Sequence, residues 1–247
     1  MKTPGAVCWT ATPRWMGLLW VLTGWLASCV ASAGQEVHVK EDFSKGADRW
    51  KPTDAAAWSI VEVEGNPAYA LIKKKSAYEP AHRSPHNISL LEDVAVGDFV
   101  LTARVRTTEE SYGHRSMCLF FGYQDPTHFY YVHFGQEADD HANQVFLVRD
   151  APRIKISTKT TEGTPWKDGE WHRVRVERRV ESGLIRVFFD DMETPVMEAE
   201  DRSFLWGKIG LGSFDDRGMW DDVEVQGQRV REEDAGKKAE QGSEDRE

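Results

Sequence analysis

The sequence has few cysteines, and their positions leave little room for a disulfide. Two of the three, Cys8 and Cys29, lie within the first 33 residues, a segment that reads as a leader. Without that leader only Cys118 remains, so no internal disulfide can form. A chain of this length buries enough apolar surface to fold without one. Because Cys118 sits in the apolar run 117–121, we expect it to be a core residue.

Positive charge is also scarce. The formal net charge is −10, and it becomes −12 when the leader's two basic residues, Lys2 and Arg14, are left out. Phosphate binding needs a basic surface, so the charge argues against nucleic acid as a partner. The same charge disfavours a general electrostatic attraction to anionic polymers, although a local arginine cluster would still bind one.

A long apolar run is missing as well. The most apolar stretch, residues 15–27, is too short to span a bilayer as a helix. It follows Lys2 and Arg14, and the first 33 residues contain no acid. This arrangement predicts a signal peptide over residues 1–33 and therefore an exported protein.

Two ways of processing this signal peptide remain open. Ala31-Ser32-Ala33 offers small residues for ordinary cleavage before Gly34. Leu26-Ala27-Ser28-Cys29 instead resembles a bacterial lipoprotein box, in which Cys29 would carry lipid. The first alternative predicts a periplasmic or secreted protein, and the second predicts a lipid anchor in the cell envelope.

No window of the chain shows a sustained helical period. Short runs of β-branched and aromatic residues instead alternate with Gly, Pro, Asp and Asn, at the spacing of a sandwich or barrel. We predict one all-β domain over residues 34–230, followed by a charged, disordered tail over 231–247 with four basic and seven acidic residues. The predicted strands are Trp58–Val63, Phe99–Arg106, Met117–Tyr123, His128–Phe134, Gln144–Val148, Trp171–Val180, Leu184–Phe189 and Lys208–Phe214.

Alternation within these runs predicts which side chains are buried. In the run 99–106 the apolar residues share one face, and Arg104 and Arg106 share the other. In the run 171–180, His172 shares a face with two valines. We therefore interpret His172 as a histidine at the edge of the core rather than as a ligand.

Several motifs fall in an order that resembles a known superfamily. These are Trp171–Val176, Ile185–Asp191, and Gly210–Asp216 leading to Trp220–Val223, with Glu41–Ser44 as the opening strand. Together they resemble a laminin G-like or 3-keto-disaccharide hydrolase-like domain of the concanavalin A-like lectin/glucanase superfamily. The resemblance covers residues 37–228 and implies a two-sheet antiparallel jelly-roll sandwich. It does not choose among lectin-like modules, glycoside hydrolases, lyases and inactive domains.

Two activities of that superfamily find no matching motif. Retaining glucanases of family 16 use E-x-D-x-x-E on one strand, and the closest match, Glu137–Ala142, lacks the third carboxylate. The NSG segment of 3-keto-disaccharide hydrolases is also absent from the sequence. Whether the chain is an enzyme therefore stays open.

The densest polar cluster lies between residues 112 and 144. If Tyr131 and His133 face a concave sheet, they resemble the proton-transferring pair of jelly-roll polysaccharide lyases. The same residues would otherwise belong to a sugar-binding surface or to a structural network. A non-catalytic, laminin G-like protein-interaction module is the rival function. The predicted saccharide-binding residues are Arg104, His114, Arg115, Gln124, Asp140, His141, Asn143 and Gln144.

Metal ligands are sparse in the sequence. No H-x-x-x-H helix or Cys/His spacing supports zinc, because His128 and His133 of one strand point to opposite faces. A structural calcium is more plausible than zinc, with Asp42 and either Asp221 or Asp222 as oxygen ligands where the first and last strands meet. Exposed acids at strand ends are the simpler interpretation.

Overall fold

The computed structural model describes residues 35–231, together with Met1 and Gly5. The rest of the predicted leader, with Cys8 and Cys29, and the predicted tail beyond Arg231 lie outside the described residues. Within the described part, no helix is long and apolar enough to cross a membrane.

The described residues form fifteen strands and one short 3-10 helix, Ala55–Ala57. All eight predicted strand runs are confirmed. The strands are β1 Glu36–Glu41, β2 Trp50–Pro52, β3 Trp58–Val63, β4 Asn66–Leu71, β5 Asn87–Thr107, β6 Ser116–Asp125, β7 His128–Gly135, β8 Gln144–Arg149, β9 Ile154–Lys155, β10 Ser157–Thr160, β11 His172–Arg179, β12 Leu184–Phe189, β13 Met197–Glu200, β14 Gly207–Ser213 and β15 Gly218–Arg229.

Strand β5 belongs to two layers. Residues 87–96 pair with β14 and β2, whereas residues 99–107 pair with β11 and β15. One layer, which we call the β7 sheet, has the order β2-β5-β14-β6-β7-β8-β9. The other, the β11 sheet, has the order β10-β13-β12-β11-β5-β15, and β15 continues to β1 and to the β3-β4 hairpin. Every pair is antiparallel, which confirms the predicted sandwich.

The main core lies between the two layers. Phe134 of β7 packs against Phe189 of β12, with ring centroids 6.0 Å apart. Phe121 of β6 meets Phe99 of β5 at 5.7 Å. The face predicted to be buried in the run 99–106 is buried, and so is His172. Alternation of side chains across each strand therefore places one face of each sheet in this core.

A second apolar cluster covers the opposite, outer face of the β7 sheet. It contains Cys118, which is fully buried as predicted. Tyr78, from the segment 72–86 that joins β4 to β5, packs against this cluster. The cluster consists of Ile88, Leu90, Cys118, Phe120, Tyr123, Phe129, Tyr131, Phe146 and Val148. The β7 sheet is thus buried on both faces.

Candidate functional site

The structure places the ten predicted catalytic and saccharide-binding residues in several environments. Tyr131 and His133 lie on the outer face of the β7 sheet, as alternation along β7 predicts. Both are buried, at 0% and 4% exposure. His114, Asp140 and His141 lie in exposed loops at one end of that sheet. The other five side chains are buried, support a loop or lie elsewhere.

Tyr131 is held inside the second apolar cluster. Its ring stacks on Phe146 at 5.0 Å, and its hydroxyl accepts a hydrogen bond from Arg153 Nη1 at 2.7 Å. Burial raises the pKa of Tyr131 even though the positive charge of Arg153 lies nearby. Tyr131 therefore stays protonated through the physiological pH range and has no open path to a ligand.

His133 belongs to a buried chain of polar groups. Its Nε2 lies 2.9 Å from Ser116 Oγ. The backbone N–H of Ser116 donates to Asp216 Oδ2 at 2.7 Å, and Tyr112 donates its hydroxyl proton to Asp216 Oδ1 at 2.5 Å. The resemblance had placed Asp216 in a strand motif without a role. Here it joins the loop of Tyr112 to the strand of His133.

This chain contains Ser, His and Asp, but it is not a nucleophilic triad. In a triad the carboxylate orients the histidine through Nδ1, whereas His133 Nδ1 has no partner. Burial lowers the pKa of His133 to about 3, and the nearby positive charges of Arg153 and His114 add to the shift. Burial raises the pKa of Asp216 to about 6 despite hydrogen bonds from Tyr112 and Ser116. The geometry therefore suits a structural network.

The exposed part of the predicted site is formed by two loops, residues 108–114 and 137–141, which we call the rim. Their backbones meet where Glu137 N–H donates to the carbonyl of Gly113 at 2.8 Å. Their side chains meet where His114 Nε2 lies 2.8 Å from Asp139 Oδ2. Tyr112 stands beside them with 43% of its surface exposed.

Hydrogen bonds and one ion pair hold the 137–141 loop in place. Asp139 Oδ1 accepts backbone hydrogen bonds from His141 at 2.6 Å and Ala142 at 2.7 Å, and Asp140 forms an ion pair with Lys155 at 2.5 Å. Gln144 Nε2 donates to the carbonyl of Asp139 at 3.0 Å.

The buried Asn143 supports the same loop from behind. It has a φ of 52°, in the left-handed region that asparagine tolerates. Its Nδ2 donates to the carbonyl of Thr161 and to Thr160 Oγ1, both at 3.1 Å. Asn143 and Gln144 thus support the rim rather than present amide groups to a ligand.

Two predicted binding residues, Arg104 and Gln124, are not brought to the rim, and a third, Arg115, supports it from the interior. Arg104 lies on the outer face of the β11 sheet, 3.4 Å from Asp222 and 4.8 Å from the Trp171 ring centroid. Arg115 is buried, donates from Nη1 to the carbonyl of Glu109 in the rim at 3.2 Å and pairs with Asp168. Gln124 donates to the carbonyl of Trp206. Because β5 passes from one layer to the other, Arg104 belongs to a different sheet surface from Tyr131 and His133.

The two predicted calcium ligands do line one depression. Asp42 and Asp222 border a cavity of about 800 Å³ beside the β1-β2 connection. Asp42 Oδ1 already accepts hydrogen bonds from the backbone N–H and hydroxyl of Ser44. Among residues 35–231, no group of three or more His, Cys, Asp or Glu side chains is arranged to hold a metal ion. These side chains alone do not fit a calcium cage, which usually takes six to eight oxygens.

Two features of this surface had weak sequence signals. Asp216 was visible as part of an acidic pair after β14, but nothing local indicated that a tyrosine 104 positions away would bind it. Arg153 lies in the short polar loop between β8 and β9, and its guanidinium contacts Tyr131 of the neighbouring strand β7. The apolar and aromatic residues on both faces of β7 were the one signal that its outer face would be covered.

The chain matches no family model, and a search of curated proteins found no match. Solved structures share its fold. Winged bean acidic lectin complexed with methyl-α-D-galactose is 12% identical, with 80% of this chain and 100% of the lectin covered and a TM-score of 0.54. A Bacillus subtilis protein of unknown function with a galectin-like fold is 13% identical, with 79% and 96% covered and a TM-score of 0.53.

The carbohydrate-binding module CBM66 from Bacillus subtilis is 15% identical to this chain. The match covers 71% of this chain and 93% of the module, with a TM-score of 0.50. At such identities the similarity establishes the fold alone, which is a lectin-like jelly-roll sandwich.

Proposed function

We propose that this domain binds a saccharide at the rim. The observation that carries the proposal is the position of Tyr112. The residue is 43% exposed, its hydroxyl is fixed by the buried Asp216, and the exposed His114–Asp139 pair belongs to the same two joined loops. An aromatic face packs on the apolar face of a sugar ring, while the imidazole and carboxylate bind hydroxyl groups.

Preorganisation supports this choice of surface. Asp139 is held by two backbone N–H groups, and Tyr112 by one strong acceptor. Side chains that are already ordered lose little conformational entropy when a ligand binds. The structural neighbours named as a lectin with a bound galactoside and as a carbohydrate-binding module add support for a saccharide as the ligand.

Binding without turnover is the form of the proposal that the buried groups favour. The predicted proton carriers, Tyr131 and His133, are both buried, and Tyr78 of the segment 72–86 packs on the cluster that contains Tyr131. A histidine with a pKa of about 3 is a neutral imidazole near neutral pH, so it would not act as a general acid there.

The test is a glycan-array and polysaccharide panel with the full chain, read for retention and for released reducing or unsaturated ends. We expect retention without products. Tyr112→Ala should weaken retention about tenfold or more, as loss of a stacking anchor does. The matched control is Trp171→Ala, which removes a partly exposed ring from the outer face of the β11 sheet. Loss of retention in the control and not in Tyr112→Ala would move the site to that sheet.

Export is a separate proposal, supported by the leader over residues 1–33. Mass spectrometry of the mature N-terminus checks it and separates the two alternatives. A chain that begins at Gly34 indicates ordinary cleavage, whereas a lipidated Cys29 indicates an envelope lipoprotein. An intact leader in the cell-associated protein would contradict export.

A further inference from the structure

A second group of residues lies beside the rim, where the segment 72–86 meets the loop after β8. Its centre is Arg153, whose guanidinium lies between two aromatic rings. The Phe146 and Phe214 ring centroids are each 4.6 Å from it. The Nη1 atom donates to Tyr131 at 2.7 Å, and the backbone N–H donates to the carbonyl of Arg83 at 3.1 Å. The group is therefore held rigidly in one orientation.

This rigid cation has no counter-ion among residues 35–231. No carboxylate forms an ion pair with Arg153, and its Nε atom is buried without a hydrogen-bond partner. Arg83 is exposed and also makes no ion pair within those residues. Most well-ordered arginines near a protein interior pair with a carboxylate, because an unpaired and partly desolvated charge is costly. The exposed Asp215 lies near His86 but forms no ion pair with either arginine.

One further polar group, His86, and the ring of Phe214 line the same place. His86 meets the Phe214 ring edge-on at 5.1 Å, and its Nδ1 is buried without a partner. Phe214 is partly exposed, so an aromatic ring that solvent can reach lies against Arg153. The combination of unpaired guanidinium groups and an aromatic ring suits a ring-shaped ligand that carries a negative charge.

The group is continuous with the rim. Lys155, two residues after Arg153, forms the ion pair with Asp140 of the rim. His133 lies close enough to both Arg153 and His114 for both to affect its pKa. A chain-like ligand bound at the rim would therefore extend naturally over Arg153 and Arg83.

We propose that Arg83 and Arg153 form a subsite for the carboxylate of an acidic saccharide. The inference rests on the proposed function and specifies its ligand class as a uronate-containing polymer. A planar guanidinium binds a carboxylate through paired hydrogen bonds. The overall charge of −10 repels such a polymer at long range, so recognition depends on this local pair and is sensitive to salt.

The experiment compares each polyuronate with its own neutral ester. The full chain is run through affinity gels that contain polygalacturonate, alginate, or their esterified forms. We expect retention by at least one free acid, loss of that retention on the corresponding ester, and weaker retention as NaCl rises. Gels with dextran sulfate and dextran distinguish a carboxylate from a sulfate ligand.

Two variants test the arginines directly. Arg83→Ala removes an exposed side chain and should weaken polyuronate retention about tenfold, with an unchanged melting temperature. Arg153→Lys keeps the charge and loses the planar fork, so it should weaken retention several-fold. The matched control is Arg173→Ala, which removes another exposed arginine without an ion pair in the described chain, from the outer face of the β11 sheet; it should bind like the wild type.

The other outcomes overturn one proposal or both. Equal retention by acid and ester would overturn the anionic subsite and leave saccharide binding intact. Unchanged retention in Arg83→Ala would do the same. Retention by dextran sulfate alone would overturn the carboxylate ligand class. No retention by any polymer, acidic or neutral, would overturn saccharide binding together with the subsite.

Discussion

The outer faces of the two sheets differ although both sheets share one core. On β11, buried valines alternate with charged residues that face solvent. On β7, nearly every residue is buried, because the segment 72–86 and the loop of Arg153 cover the outward side chains. The comparison teaches that strict alternation marks a sheet with one solvated face, whereas apolar residues at successive positions mark one covered on both.

The two outer faces also differ in whether their arginine side chains form ion pairs. On the outer face of the β11 sheet, Glu177 pairs with Arg175 at 3.1 Å and with Arg186 at 2.6 Å. The guanidinium of Arg175 also lies 3.9 Å from the Phe188 ring centroid. On the β7 sheet, Arg153 lies between two rings without a carboxylate from the described chain. Glu177 is thus neutralised by two arginines on the open face, whereas Arg153 on the covered face has no carboxylate partner among residues 35–231.

The largest expected effect on stability comes from removing a buried aromatic side chain from the covered outer face of the β7 sheet. Phe146→Ala removes a buried ring that stacks on Tyr131 and supports Arg153, and should lower the free energy of unfolding by about 3–5 kcal/mol. Thr102→Ala, at a partly exposed position of β5 in the β11 sheet, should change it by less than about 0.5 kcal/mol. Urea denaturation measures both. Similar losses in the two variants would contradict the difference between the faces.

The buried polar chain should give the covered face a distinctive pH dependence. The pKa of Asp216 is raised from 3.8 to about 6 in the fold. Its contribution to stability is therefore fully present below pH 3.8 and lost as the pH rises through about 6, by roughly 2–3 kcal/mol. The pKa of His133 is lowered from 6.5 to about 3, so its contribution is present above pH 6.5 and lost as the pH falls toward 3.

Asp216→Asn separates these two opposite effects. Between pH 6 and pH 4 the wild type gains stability from Asp216 while it loses stability from His133. The variant keeps only the loss, so its free energy of unfolding should fall more steeply with acid than that of the wild type. Urea denaturation at pH steps from 4 to 7 provides the measurement. Parallel pH profiles for the two proteins would show that Asp216 titrates in the fold as it does in the unfolded chain.

A smaller effect on stability is expected from loosening the segment 72–86, which packs on the outer face of the β7 sheet. The buried Asn87 donates from Nδ2 to the carbonyls of Lys74 at 2.8 Å and Phe214 at 3.3 Å. Asn87→Ala leaves these acceptors without this donor and should cost about 1–3 kcal/mol. Trypsin should then cleave faster at Lys73–Lys75. Asn66→Ala, at the exposed first position of β4, is the control; equal cleavage of the two variants would show that Asn87 does not anchor the segment.

The smallest effect is expected on the open face. Arg104 is 42% exposed and pairs with Asp222 at 3.4 Å. A double-mutant cycle of Arg104→Ala and Asp222→Ala should give a coupling below about 1 kcal/mol that declines further in 1 M salt. A coupling energy above about 2 kcal/mol would mean that the Arg104–Asp222 pair is shielded from water, and the outer face of the β11 sheet would then not be a solvated face.

Much of the fold could be predicted because its signals are local. The runs that became β6, β7 and β11 are recognisable from their own residues, as is the turn at 181–183 between β11 and β12. The opening strand lies earlier than predicted, at Glu36–Glu41 rather than Glu41–Ser44. The predicted runs missed β2, β4, β9, β10, β13 and the first half of β5. This half of β5 contains Glu92, Asp93 and Gly97, which weaken the strand pattern, and tertiary pairing with β14 and β2 overrides them.

The candidate site was predicted only in part. His114, Asp140 and His141 are exposed at the rim, as a binding surface requires. Tyr131 and His133 face the predicted side of β7, but they are buried. Whether an outward face is open depends on a segment more than forty residues earlier in the chain, and no local pattern around β7 contains that information.

The sequence by itself determined the all-β class, the strands with strong alternation, the burial of Cys118 and the two faces of each strand. A strand repeats every two residues, so its own residues suffice for those statements. Only the tertiary structure decided that Arg104 lies on a different sheet from His133, that Asp216 joins Tyr112 to Ser116, and that Arg153 stays unpaired beside Arg83 in the described chain. These contacts join residues far apart in the chain, and they form only when β5 crosses between the layers and the segment 72–86 packs on the β7 sheet.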